Sequence, residues 1–227
     1  VMQQTVKDTP LLTVLESEVK GVLISNGICH GVLLEDGSSI ETKAVVVTTG
    51  TFMNGVMHVG MTTQVGGRFG DKASHGLSDQ LRALGFSVTR LKTGTPARIY
   101  KDSIDWSQTV PQPGDETYFP FSRKTKDLQL PQISCFMSYT NEQTHEIIRK
   151  NLDRSPLYSA RIEGVGPRYC PSIEDKITRF ADKDRHQTFL EPEGLDSDLI
   201  YIQGMSTSLP EDVQYEFLRT IPGLQNV

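Results

Sequence analysis

The chain is poor in cysteine and tryptophan, has no long apolar run, and carries no surplus of positive charge. Its three cysteines, Cys29, Cys135 and Cys170, are odd in number and widely spaced. That excludes a disulfide-stapled scaffold, matches no zinc-ligand spacing, and points to a reducing compartment. No stretch approaches the ~18 consecutive apolar residues that a membrane-crossing helix needs. The first eight residues are polar and lack the apolar segment of a secretory leader, and the chain opens on Val1 as though inside a domain, so it reads as a fragment. A net charge of −5 excludes a uniformly basic nucleic-acid binder. Between Arg90 and Arg185, however, Lys and Arg outnumber Asp and Glu by 16 to 13, a mild local basic bias. Also missing is a G-x-G-x-x-G fingerprint, which places a pyrophosphate on a helix start; Gly164-Val165-Gly166 continues into Pro-Arg-Tyr and does not qualify. What remains, 37% apolar and 22% charged residues over 227 positions, suits one large globular domain or two small ones.

In chain order, the first third reads as a small meander. Val22 to Ile24 is an apolar piece, Ser25-Asn26-Gly27 a turn, Ile28 to Leu34 a strand, Asp36-Gly37 another turn and Ile40 to Thr42 the next strand. Ala44 to Thr48 is a β-branched run of the kind expected for a strand buried on both faces, ended by Thr49-Gly50. Val65 to Gly70 is a glycine loop with one cation, Arg68, which serves equally as a phosphate contact or a mobile connection. A helix is expected from Ser78 to Leu84, with Leu77, Leu81 and Leu84 inward and Gly85 closing it, then a strand at Phe86-Ser87-Val88. The region 105–120 is loop-rich. Trp106, Tyr118, Phe119 and Phe121 interleave with the basic Arg123-Lys124-Thr125-Lys126; such mixtures can bind single-stranded nucleic acid, and the favoured reading is an insertion packing its rings on a sheet.

Thr140 with Gln143 predicts a capped helix to about Asn151, with Ile147, Ile148 and Leu152 inward and His145 solvated. Cys135 sits in an apolar run and reads as core. Thr188 to Leu190 and Leu199 to Ile202 read as antiparallel strands joined by the Glu191-Pro192-Glu193-Gly194 bend. Ser208 with Glu211 predicts a last capped helix ending near Thr220.

The most chemically loaded stretch runs from Ile162 to Phe180, I-E-G-V-G-P-R-Y-C-P-S-I-E-D-K-I-T-R-F. Ser172 followed by Asp175 reads as the start of a helix over Ile173 to Phe180, with Ile173, Ile177 and Phe180 on one face. Cys170 lies two residues before that N-cap and close to Arg168, an environment favouring thiolate. A buried cysteine in a Gly-Pro loop fits the spacing equally well.

This stretch resembles the signature of the GidA/MnmG family, FAD-dependent enzymes that modify wobble uridine in tRNA. The blocks Leu91-Lys92-Thr93-Gly94-Thr95-Pro96-Ala97-Arg98-Ile99, Ser155-Pro156-Leu157-Tyr158, His186 to Gly194 and Gly204 to Pro210 resemble further family blocks in the same order. The resemblance implies an α/β fold: residues 1–90 as the second half of an FAD-binding Rossmann-like domain, and 91–227 as an inserted α+β domain with antiparallel strands. It places the backbone at Val19 near the adenine, and Thr49, Gly50 and Ser74 on the cofactor. It associates Gly166-Pro167-Arg168-Tyr169-Cys170-Pro171-Ser172-Ile173-Glu174-Asp175-Lys176-Ile177-Thr178-Arg179-Phe180 with NAD, and matches Cys170 to a proposed catalytic cysteine; the two roles compete for one stretch. It further implies NADH, methylenetetrahydrofolate as one-carbon donor, tRNA as substrate, the GTPase partner MnmE, a homodimer and a cytoplasmic location without membrane attachment. Two alternatives stand beside it: the related folate- and FAD-dependent tRNA uridine methyltransferase, and a non-catalytic module that docks tRNA or a partner.

Overall fold

The computed structural model describes residues 2–127, 130–159, 162, 164, 166 and 171–227. It is a mixed α/β chain of two compact units: residues 1–57 with 64–89, and residues 58–63 with 90–227.

The first unit opens with a short exposed helix, α1 (Met2–Asp8), followed by the meander β1 (Val19–Ser25), β2 (Ile28–Leu34) and β3 (Ser39–Glu41). The β1–β2 turn has Asn26 at φ 52° and Gly27 at φ 73°. Positive φ at both central residues is the hairpin geometry that an Asn-Gly pair supports, because it matches the twist of the strands. After the hairpin strands β4 (Val56–Val59) and β5 (Thr62–Val65) comes α2 (Leu77–Ala83). The Gln80 side chain on α2 pairs with β1 as another strand would: its Oε1 accepts from Val22 N and its Nε2 donates to Val22 O, both at 2.7 Å.

Three expectations in this unit are corrected. Residues 44–48 form no strand: no described strand pairs with them, and Val46 is 86% exposed. Phe86 to Val88 forms none either. Phe86 N bonds Leu81 O at 3.1 Å and Gly85 N bonds Arg82 O at 3.0 Å, with Gly85 at φ 90°. This double closure of the helix C-terminus spends the amide that a strand would have used. Leu84, expected inward, is the helix C-cap and is exposed.

The second unit is built on a five-stranded antiparallel sheet in the order β6-β10-β9-β8-β7: β6 (Arg98–Tyr100), β7 (Val110–Gln112), β8 (Cys135–Tyr139), β9 (Gln187–Pro192) and β10 (Leu199–Gln203). Pro111 is tolerated within β7 because that strand is the sheet edge, where no second ladder needs its missing N–H. Register aligns Ile99 with Ile200, and Ile202 with Leu190, which is itself opposite Phe136. These residues share one hydrophobic cluster with buried side chains of α3 (Glu142–Lys150), α4 (Ile173–Arg179) and α5 (Glu211–Leu218), including Ile148, Ile173, Ile177 and Phe217.

The helix starts refine the sequence reading. Helix α3 is capped by Asn141, not Thr140: Asn141 Oδ1 accepts from Thr144 N at 3.0 Å, while Thr144 Oγ1 takes the Asn141 amide in return. The Thr140 hydroxyl is committed elsewhere, between His186 N at 2.8 Å and His145 Nε2 at 2.7 Å. His145 is therefore buried, contrary to expectation, with its ring 5.3 Å from that of His186. Helix α5 starts after Pro210 without a side-chain cap, because the Ser208 hydroxyl faces Ser155. Trp106 packs on Phe136 at 4.5 Å as the favoured reading expects, but Phe119 and Phe121 are exposed.

Candidate functional site

The signature lies in the second unit, and Pro167, Arg168, Tyr169 and Cys170 fall outside the described residues. Gly164 sits at φ 126°, where an added Cβ would come within 2.7 Å of Arg90 O, so this position requires glycine. The helix that follows starts as its sequence predicts. Ser172 is the N-cap, in extended conformation, and its hydroxyl accepts from Asp175 N at 3.1 Å. Ile173, Glu174 and Ile177 turn into the core; Asp175, Lys176 and Thr178 are half-buried, and Arg179 and Phe180 are exposed. Phe180, expected on the inward face with Ile173 and Ile177, instead caps the helix end.

Glu174 is 0% exposed and lies at the centre of a hydrogen-bonded knot. Its Oε1 accepts from Thr207 Oγ1 at 2.9 Å, Ser155 Oγ at 3.1 Å and Ser208 N at 3.3 Å. The Ser155 and Ser208 hydroxyls also meet at 2.9 Å, and Leu157 N donates to Ser208 Oγ at 3.4 Å. Ile173 N bonds Ser206 O at 2.7 Å, Lys176 Nζ donates to Gly204 O at 2.9 Å, and the Tyr158 hydroxyl bonds the Thr178 hydroxyl. Burial lowers the pKa of Lys176 from its ordinary value. The Leu91–Ile99 block joins through an antiparallel bridge between Thr95 and Thr207, and Gly94 fits against Ser206. At the other end of that block, Arg98 donates through Nε to Glu193 Oε1 at 2.7 Å and through Nη1 to Thr95 Oγ1 at 2.6 Å, with its guanidinium 4.8 Å from the centroid of the Tyr201 ring. All five sequence blocks thus meet in one connected region. Neither the Ser155 and Thr207 ties to Glu174 nor the buried His145–His186 pair was foreseen. Serine and threonine beside a lone glutamate in a predicted helix face gave no signal of enclosure.

Thr49, Gly50 and Ser74 are exposed in the first unit, and Val19 opens β1. The structure brings these positions near one another in the chain path. Ser74 forms a parallel bridge with Met53, its carbonyl accepts from Asn54 N at 2.9 Å, and the position of a Cβ on Gly76 lies 3.5 Å from Lys20 O. Gly50 has φ 70° with open space where a Cβ would stand. Accessible backbone of this kind fits the rim of a dinucleotide site. It does not provide the pyrophosphate cradle, since the sequence lacks the glycine fingerprint. Among the described residues no group of three potential ligands is placed to hold a metal ion, and no helix is long and apolar enough to cross a membrane.

The family model described as glucose inhibited division protein A matches residues 1–227. The chain is 63% identical over 226 residues to a protein of Bdellovibrio bacteriovorus named tRNA uridine 5-carboxymethylaminomethyl modification enzyme MnmG, covering 99% of this chain and 35% of that protein. A protein of the same name from Geobacter sulfurreducens is 56% identical, with 100% of this chain and 36% of the relative covered. The solved structure of Aquifex aeolicus GidA in its form I crystal superposes with a TM-score of 0.88 at 49% identity, covering 99% of this chain and 39% of that one. The chain therefore spans little more than a third of the length of these relatives.

Proposed function

This chain belongs to the glucose inhibited division protein A family, and from that premise we propose that it is the part of an FAD-dependent tRNA-modifying enzyme that carries the reactive cysteine and one side of the flavin site. The observation carrying this reading is the family match over all 227 residues, strongest to proteins named for tRNA uridine modification. The product is an aminomethyl or carboxymethylaminomethyl group at C5 of wobble uridine. NADH supplies electrons, methylenetetrahydrofolate the one-carbon unit, and the GTPase MnmE acts as partner to a cytoplasmic homodimer.

The chemistry assigns a definite task to Cys170. Uracil C5 is a poor nucleophile in the intact ring. Addition of a thiolate at C6 forms an S–C6 bond and moves the ring π electrons into an enolate, which makes C5 nucleophilic. After C5 has bonded to the carbon unit, loss of the C5 proton and departure of the thiolate restore the ring and the free cysteine. The base must leave its stack to reach such a group. Bound flavin supplies the electron transfer. Val19, Thr49, Gly50 and Ser74 would hold its near side, while the accessible residues of the signature, among them Lys176 and Arg179, would meet NAD or substrate.

The test is nucleoside analysis of undermodified tRNA treated with the full-length enzyme and with its Cys170→Ser variant. Wild type should form the C5-substituted wobble uridine. Absence of any such product with all co-substrates present overturns the functional reading. Normal turnover by Cys170→Ser overturns only the role given to that residue.

A further inference from the structure

Glu174 is the only Asp or Glu classed as buried among the described residues, and no Lys or Arg forms a salt bridge with it there. Its two oxygens are used unequally. Oε1 collects three donors from two separate chain segments, while Oε2 is enclosed and has no hydrogen-bond partner. An enclosed polar oxygen without a donor destabilises a fold, and an apolar or amide side chain of the same size would remove that cost. The carboxylate is therefore poorly explained by stability. What it does is geometric: it joins the first turn of α4 to the 155–158 segment through Ser155, and to the 206–208 segment through Thr207 and Ser208. The Ser208 carbonyl, in turn, accepts from Gly60 N at 2.8 Å. Only Pro171, Ser172 and Ile173 separate Glu174 from Cys170.

We propose that Glu174 is a positioning residue for the uridine chemistry, an enclosed acceptor that fixes the signature helix against two neighbouring segments and so holds the approach of Cys170. It touches neither substrate nor cofactor and acts through the residues before and after it in the signature. This inference rests on the functional reading above for its activity readout, and on no such reading for its thiol readout.

Two variants of the full-length enzyme separate reach from charge. Glu174→Gln keeps the length and removes the charge; Glu174→Asp keeps the charge and withdraws the oxygens by one methylene. Both should retain flavin and keep the tRNA KM within about twofold, while kcat falls by about tenfold or more, the pattern of a misplaced reacting group. Iodoacetamide labelling of Cys170, followed by mass spectrometry against pH, should change by about threefold or more, with Cys135 labelling unaltered as the internal control. Ser155→Ala, which removes one donor of three, should move both readouts the same way by less; it also serves if the Glu174 variants do not fold. Unchanged Cys170 labelling and kcat in folded variants would overturn the proposal. So would a loss of activity that only tracks the folded fraction. If the wild-type enzyme modifies no uridine, the functional reading fails, and the labelling profile still decides whether Glu174 positions the cysteine.

Discussion

The two compact units bury their apolar residues very differently. Of the buried hydrophobic side chains, only Leu34 and Leu77 lie in the first unit; the connected cluster from Ile99 to Leu224 lies wholly in the second. The first unit instead leaves Val46, Phe69 and Phe86 exposed, and relies on local devices: an Asn-Gly hairpin, a doubly closed helix end and a glutamine paired with a strand. The contrast shows two ways in which a sequence holds its shape. Local hydrogen bonding needs only a few neighbouring residues, whereas a core needs partners from distant segments.

The largest effect that would sharpen this contrast is in the second core. Phe217→Ala removes a ring that is 0% exposed and should cost about 3–5 kcal/mol of unfolding free energy, measured by urea titration. A cost below about 1 kcal/mol would show that the cluster tolerates voids and is no rigid core.

Acid should act next, and again on the second unit. Burial lowers the pKa of His145, with Arg149 adding to it and Glu142 and Asp184 opposing. Burial likewise lowers that of His186, helped by His145 and Lys176. Both rings are thus easier to protonate in the unfolded chain, so their contribution is complete above the ordinary histidine value of about 6.5 and is lost as pH falls through the lower folded values. The urea midpoint should drop between about pH 7.5 and pH 5.5, a window in which ordinary carboxylates stay charged, and replacing His145 by glutamine should flatten that dependence. A pH-independent midpoint would contradict the assignment.

Smaller still is the turn. Gly27→Ala places a Cβ at φ 73° and should cost about 1 kcal/mol, visible as faster amide exchange in β1 and β2 only. Least of all, Val46→Ala should change stability by no more than about 0.5 kcal/mol, because the side chain is 86% exposed. A larger loss there would break the comparison by revealing a core that the first unit conceals.

The parts legible in the sequence were those whose causes are local. Ile28–Leu34 matches its expected strand end to end, the Ser172 cap and the Gly85 closure stand where expected, and β9 and β10 pair antiparallel as read. Residues 44–48 misled because a β-branched run states only a preference, and a strand exists only where another strand completes its ladder. His145 misled because its enclosure depends on Thr140 and His186, contributed by β8's end and the approach to β9. At the candidate site, the blocks could be recognised one by one. Their meeting at Glu174 could not, since hydrogen bonds spanning 19, 33 and 34 residues leave no periodicity to read.

The central claim divides labour between the units, with flavin contacts in the first and the reacting thiol in the signature of the second. The most direct measurement is turnover per bound flavin in the full-length Cys170→Ser enzyme, from the flavin absorbance and the yield of modified wobble uridine in one preparation. The account predicts a full complement of flavin and near-complete loss of product. A normal yield per flavin would contradict it and return the signature to the role of a cofactor loop.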